Sequence, residues 1–492
     1  MCVIYELINL KRNGYMRVSE FYKLGKTQAF LDFVDIPIDT DLPVFVDPSA
    51  IKALDTPWGN RLSSLLQSFF ETVIQHIKSG EHSKAKELLS SLRESNHFHL
   101  GYSQNKAQGR AFGPASADTV WGALTKSKAS ITGLLQDLED TALLIPGIGT
   151  DMISDAVCNI IREPLIEYTQ QMCEYYGIPL THNVHSGPLW NSNTREWTNK
   201  LTSLPVTTEG IVILVPKILV RMALTYEAGK YYRDFLLPEM QQDHIRKRTS
   251  LAKILKNGAF RVTKKSLIAT YGSNKDAIVT QTKQYPYVLQ DYKDQMNQSP
   301  LKPLDHSDFN QIQHSTLPDI TALIRELQQT NVGAADASRY ENIIEKIFTY
   351  CLYPSLSAPR KQHPLHDGRK RVDITYSNEA KDGFFAWLAI HYTCPLIFVE
   401  CKNYGKELAN PELDQLSGRF GPSRGTVGLL VCRSLQDKKL MTQRCIDTAK
   451  DQRGYIMVLD DEDVIQLLTS YVKSGRKQEF PLLRDKFNQL IS

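Results

Sequence analysis

The sequence predicts an α/β domain at its C-terminal end, behind a large, mostly helical α+β N-terminal region. Three observations predict it. Four short β-branched or apolar runs after residue 331 alternate with helical stretches, a rhythm that builds a partly parallel sheet. The first 290 residues carry long stretches with apolar residues at helical spacing, broken by short extended pieces. Between them, Asp291 to Asp319 is rich in Asp, Gln, Asn, Ser and Pro and has little apolar periodicity. The expected organisation is therefore 1–290, a sensing, DNA-binding or assembly region with room for two subdomains; 291–330, a linker with a leading helix; and 331–492, the α/β domain.

In chain order, Leu62 to Ile77 and Met152 to Tyr176 read as helices, and Leu42 to Val46 and Gly210 to Val215 as extended pieces. The turn Gly147-Ile148-Gly149 leads into a helix capped by Thr150 or Asp151. The acidic run from Asp32 to Asp47 fits strand ends and proline turns better than a cation site. A helix starts near Ser338, where Ser338 and Glu341 have capping-box spacing, and Pro354 ends it. Strands are expected at Arg371 to Tyr376, Leu396 to Lys402, Thr426 to Cys432 and Tyr455 to Leu459. Helices are expected around Glu412 to Phe420, Lys438 to Lys450 and Asp463 to Tyr471. Phe384 to Ala389 implies an inserted helix or extra strand.

Composition narrows the class. Of 492 residues, 42% are apolar and 23% charged, which supports sizeable cores. Eight cysteines are scattered without a C-x-x-C pair, which argues for reduced thiols rather than a disulfide framework or zinc site. The start of the chain lacks signal-peptide features, and the most apolar stretch, Gly210 to Tyr226, is broken by Pro216, Lys217 and Arg221. A cytoplasmic protein that makes no use of a membrane is the expectation. The net charge of +4 is too balanced to announce a nucleic-acid partner, so any basic surface must be local.

The chemistry concentrates in Pro395-Leu396-Ile397-Phe398-Val399-Glu400-Cys401-Lys402-Asn403-Tyr404, an apolar strand that turns charged at its end. A period of two puts Glu400 and Lys402 on one face with Leu396 and Phe398. Burying such a carboxylate and ammonium is costly unless they are paired, solvated or bound to a metal. Upstream, Lys370-Arg371-Val372-Asp373-Ile374-Thr375-Tyr376 places Asp373 opposite the apolar face. If the two strands are neighbours, Asp373 and Glu400 converge. With a backbone carbonyl such as that of Cys401 they form a hard-oxygen site suited to Mg²⁺, beside which Lys402 can orient or deprotonate water and contact a phosphate. Three other acid-x-Lys triplets, at Asp291, Glu379 and Asp437, lack this setting: only Glu400 ends an apolar strand that follows an acid-bearing one.

Glu341 on a helix, Asp373 in RVDI, Glu400-Cys401-Lys402 in IFVECKNY and Gln415 in the following helix resemble the core of the PD-(D/E)XK nuclease superfamily, near its Mrr-type restriction endonuclease branch, over about Asp336 to Leu468. The resemblance implies a restriction-endonuclease-like mixed sheet flanked by helices. It implies that Asp373 and Glu400 ligate Mg²⁺, or Mn²⁺ in its place, with Cys401 contributing its carbonyl, and that Lys402 is the catalytic lysine. Glu341 would be the helix carboxylate and Gln415 the helix glutamine. Two departures stand out: Val372 precedes Asp373 where the family's proline is common, and about 26 residues separate Asp373 from Glu400. Glu345, one turn beyond Glu341, is an alternative helix carboxylate, and Glu341 also reads as half of the capping box. Cys401 reads as a packing residue rather than a nucleophile.

Between His244 and Lys265 lie eight basic residues and no acidic one; of these Arg246, Lys247, Arg248, Lys253 and Lys256 are taken as candidate DNA contacts. A solvated helix face is the alternative. Arg360, Lys361, Arg369, Lys370 and Arg371 are expected to be loop residues lining the approach to Asp373. The expected activity is metal-dependent endonucleolytic hydrolysis of DNA, and by resemblance and analogy a role in bacterial restriction or anti-phage defence. DNA is the expected partner, together with a phage-derived trigger or partner protein and a second copy of the chain, since double-strand cutting uses two sites. The rival readings are a non-catalytic nucleic-acid-binding or assembly module and a repair or junction-resolving nuclease.

Overall fold

The structure is a computed structural model. It describes residues 15–92, 96–102, 124, 134–298, 301–365 and 370–492. The chain divides into two compact units.

The first unit comprises residues 1–23, 36–215 and 219–304. It is mostly helical, with short two-stranded pieces. Helix Pro57–Lys78 starts where Thr56 accepts the Gly59 N–H, and it buries Leu62, Leu66, Phe69 and Val73 along one stripe. The single helix expected over Met152 to Tyr176 is two, Thr150–Ile160 and Arg162–Tyr176, broken at Ile161, just before Pro164. The first of them has Gly149 at its N-cap and no side-chain cap, not Thr150 or Asp151. Of Gly210 to Val215 only Gly210–Ile211 is strand. The next residues are buried, and their amides donate to Pro205 O, His97 O and Thr169 Oγ1 instead of to a ladder. In the acidic run, Asp47 caps Pro48–Lys52 and accepts from Thr225.

The polar stretch expected to be a linker is helical over much of its length. Pro286–Gln298 buries Val288, Leu289, Tyr292 and Met296, and polar residues on its outer face hide the apolar repeat. The second unit then begins at Asp305 and also takes in residues 24–35 and 216–218. Its helices are α1 (His306–Gln313), α2 (Ile320–Gln329), α3 (Ala337–Leu352), α4 (Gly383–His391), α5 (Asn410–Ser417), α6 (Lys438–Lys450), α7 (Asp461–Lys473) and α8 (Pro481–Ile491). Its strands are β1 (Leu356–Leu365), β2 (Lys370–Asn378), β3 (Leu396–Lys402), β4 (Val427–Cys432) and β5 (Tyr455–Leu459). They form one sheet in the order β1-β2-β3-β4-β5, antiparallel through β3 and parallel beyond it. This is the α/β architecture the alternation predicts.

Strand β1 is absent from the sequence reading. It carries Pro359 and Pro364 and a bulge between Ser357 and Arg360, features compatible with strand only at a sheet edge, where it lies. Arg360 and Lys361 are thus edge-strand residues rather than loop residues. Helix α3 starts one residue before Ser338, with Asp336 at its N-cap and no side-chain cap, so the expected capping box is not formed and Glu341 lies within the helix.

The early segment 24–35 is part of this unit's core. Ala29 and Phe30 join the cluster of Tyr340, Ile344, Ile347, Tyr376 and Val399, with Phe30 and Tyr350 ring centroids 6.2 Å apart. The carboxylate of Asp32 accepts the Ala358 N–H at 2.8 Å, within the β1 bulge. Lys217, from residues 216–218, is enclosed above the Tyr353 ring at 4.0 Å, and burial lowers its pKa to about 8.

Candidate active site

The central strand β3 fixes the site. Ile397, Phe398 and Val399 are fully buried, flanked by β2 on one side and β4 on the other. The β2/β3 ladder pairs Tyr376 with Ile397, Thr375 with Phe398 and Ile374 with Val399. Alternation then sorts the side chains into two faces. One holds Val372, Ile374, Tyr376, Ile397, Val399 and Cys401, against α3, where the Tyr376 hydroxyl lies 3.1 Å from Thr349 Oγ1. The other holds Asp373, Thr375, Phe398, Glu400 and Lys402, and receives Gln415 from α5.

One step past the last ladder pair, the same register sets Asp373 opposite Glu400. There Asp373 Oδ2 accepts the Cys401 N–H at 2.8 Å, so the carboxylate takes the strand donor. Glu400 is 2% exposed. Its Oε1 accepts from Lys402 Nζ at 2.8 Å and from Gln415 Nε2 at 2.6 Å, while Lys402 Nζ also donates to Gln415 Oε1 at 3.0 Å. Glu400 Oε2 is buried and has no hydrogen-bond partner. Burial first, and the Asp373 charge second, hold the Glu400 carboxyl above the ordinary carboxylate range, against the pull of Lys402 and Arg419. The structure thus brings together Asp373, Glu400, Lys402 and Gln415.

Glu341 is half-buried on α3. Its charge acts on the Cys401 thiol, so it reaches the same strand end from the α3 face. Burial, then Asp373, Glu341 and Glu400, push that thiol well above its usual pKa, which keeps it protonated. Cys401 can therefore offer only its main chain to the other face. Glu345, the alternative helix carboxylate, is 1% exposed and paired with Lys26 at 3.4 Å and Lys361 at 3.5 Å.

The candidate DNA contacts divide differently. Arg246 pairs with Glu239 and Asp243, and Lys247 with Asp243 at 2.7 Å, all on one helix, Leu237–Arg246, and its cap. Arg248 stacks on Phe260, 5.4 Å from the ring centroid. Lys253 opens a hairpin, Lys253–Ile254 with Phe260–Arg261, and Lys256 lies in its exposed turn. These five belong to the first unit. Arg371 is exposed on β2; Arg369 and the side chain of Lys370 lie outside the described residues.

Two participants escaped the sequence reading. Arg419 acts electrostatically on Glu400; its place four residues after Gln415 was the available signal. Lys26, 319 residues before Glu345, had none.

A family model described as a domain of unknown function (DUF8370) matches residues 23–227. No curated protein and no solved structure matches the chain. The matched stretch ends before the five-stranded sheet begins. No helix among the described residues is long and apolar enough to cross a membrane.

Proposed function

We propose that the chain is a metal-dependent DNA endonuclease whose second unit has a PD-(D/E)XK-like, restriction-endonuclease-like fold. The observation that carries this reading is the Glu400, Lys402 and Gln415 triangle on the sheet face that Asp373 shares, formed at the end of the buried central strand. Asp373, Glu400, Lys402 and Gln415 came out of the sequence as an ordered set; Gln415 bonds to Glu400 from 15 positions away, and Asp373 bonds to the backbone of Cys401 between Glu400 and Lys402.

The donor set fits Mg²⁺ or Mn²⁺ in chemistry. Glu400 Oε2 is a buried oxygen without a partner, and burial together with the Asp373 charge opposes ionisation of Glu400, which a dication relieves. Among the described residues no group of three His, Cys, Asp or Glu side chains gathers as a metal site. The third protein donor would therefore be a main-chain oxygen, that of Cys401. Bound there, the ion would supply an acidified water and charge neutralisation for a phosphodiester. Asp373 and Glu400 would hold it, Lys402 would orient the attacking water or hold its proton, and Gln415 keeps Glu400 and Lys402 in register. Arg246, Lys247, Arg248, Lys253, Lys256, Arg369, Lys370 and Arg371 remain the proposed backbone contacts, with DNA as partner and a second copy for the second strand. Defence against phage, with a phage-derived trigger, is the proposed setting.

A second reading, a non-catalytic nucleic-acid-binding module, draws on Lys402 being engaged by both Glu400 and Gln415. Supercoiled plasmid incubated with the full chain and Mg²⁺ or Mn²⁺, with and without phage extract, separates the two. Nicked or linear product supports the nuclease, and intact plasmid under every condition favours the module.

A further inference from the structure

We propose that Arg419 is a phosphate-binding residue of this site, gripping a non-bridging oxygen of the DNA backbone beside Glu400. This rests on the nuclease reading above. The turn that carries Arg419 is anchored at both ends over the face that holds Glu400. On one side Gln415, a helical turn earlier, is bonded to Glu400 and Lys402. On the other, Phe420 packs on Phe398, two residues before Glu400 on the same face, with ring centroids 5.6 Å apart.

The Phe420 ring is held in a slot that only glycine leaves open. A Cβ on Gly454 would lie 2.2 Å from Phe420 Cδ2, and one on Gly428 would lie 3.0 Å from its Cζ. The backbone N–H of Arg419 bonds to Leu416 O at 2.9 Å, which closes the turn. The backbone that carries Arg419 is therefore fixed between two anchored neighbours.

One of its donors is held ready. Arg419 Nε is enclosed without an acceptor, and the side chain has no ion pair with any described residue. Leaving a buried donor unmet is unfavourable, so a structure that holds one there favours an arriving acceptor. A backbone phosphate nearing Asp373 and Glu400 meets two like charges, and Lys402, beside Glu400 on that face, is already engaged. Arginine's planar fork matches phosphate oxygens, and its charge offsets that repulsion.

The test is anisotropy of a labelled DNA duplex with the full chain in metal-free buffer across a salt series. Wild type is compared with Arg419→Ala, Arg419→Gln and Arg419→Lys, each checked for wild-type circular dichroism. Loss of one phosphate contact lowers the slope of log affinity against log salt by about one. Arg419→Ala and Arg419→Gln should both show this, with binding weakened about tenfold at low salt, while Arg419→Lys keeps the slope. Unchanged slope and affinity in Arg419→Ala and Arg419→Gln overturn the assignment, as does a wild type that binds no duplex. A plasmid assay on the same samples separates the two claims. Cutting by wild type with an unchanged Arg419→Gln slope removes Arg419 alone. Binding with the slope loss but no cutting under any metal removes the nuclease and keeps the phosphate contact.

Discussion

Gln415 Nε2 lies 2.6 Å from Glu400 Oε1, and Gln415 Oε1 accepts from Lys402 Nζ, so one amide holds both charged side chains of β3. An amide suits this place because it donates to the carboxylate and accepts from the ammonium at once. A carboxylate would repel Glu400, and an apolar residue would leave both groups one bond short.

Gln415→Leu should therefore slow DNA cutting while leaving the fold intact. A hydrogen bond to a charged group contributes about 1.5–3 kcal/mol, or roughly ten- to 150-fold in rate if it is lost in the transition state. Gln415→Glu should be at least as damaging, since it adds a third negative charge beside Asp373 and Glu400. Initial rates of plasmid nicking check both, and full activity in Gln415→Leu would deny the amide its role.

Glu400 gives the protein a pH signature that needs no metal. Its folded-state pKa is raised, so its contribution to stability is complete below the unfolded pKa and is lost as pH rises through the folded value. Metal-free wild type should lose thermal stability relative to Glu400→Gln as pH is raised from the acid side of the carboxylate range to neutrality. A change of about 1 kcal/mol moves Tm by roughly 2–4 °C in a unit of this size. Scanning calorimetry of both proteins across that range makes the comparison, and parallel Tm curves would contradict it.

The second unit needs its early segment. Phe30 is buried against Tyr350, so Phe30→Ala should cost about 3–5 kcal/mol, as aromatic truncations in a core do. A fragment beginning at Asp305 lacks Phe30, the Asp32 bond to the β1 bulge and the Lys26 pair with Glu345. It should show no cooperative unfolding by near-ultraviolet circular dichroism. A sigmoidal denaturant transition in that fragment would show the segment to be dispensable.

What the sequence disclosed follows from how local each signal is. Strand β3 and helix α6 have the predicted limits because their apolar runs and flanking residues set them within a few positions. Asp373 and Glu400 were legible because adjacent antiparallel strands bring them together by register alone. Strand β1 was hidden by its prolines, which local propensity scores against strand and an edge position tolerates. The 24–35 segment left no trace because no pattern in LGKTQAFLDFVD specifies a partner some 300 residues away. The capping box failed for a related reason: Ser338 and Glu341 have the right spacing, but the helix had already begun at Ala337.

On the proposed reading, Asp373, Glu400 and Lys402 act as one hydrolytic centre for DNA. Its most direct test is the nicking of supercoiled plasmid by the purified full chain in Mg²⁺ or Mn²⁺, with phage extract as trigger, beside Asp373→Ala and Lys402→Ala proteins of unchanged circular dichroism. Wild type should give nicked or linear product and neither variant should give any, whereas full cutting by either variant would contradict a shared hydrolytic centre.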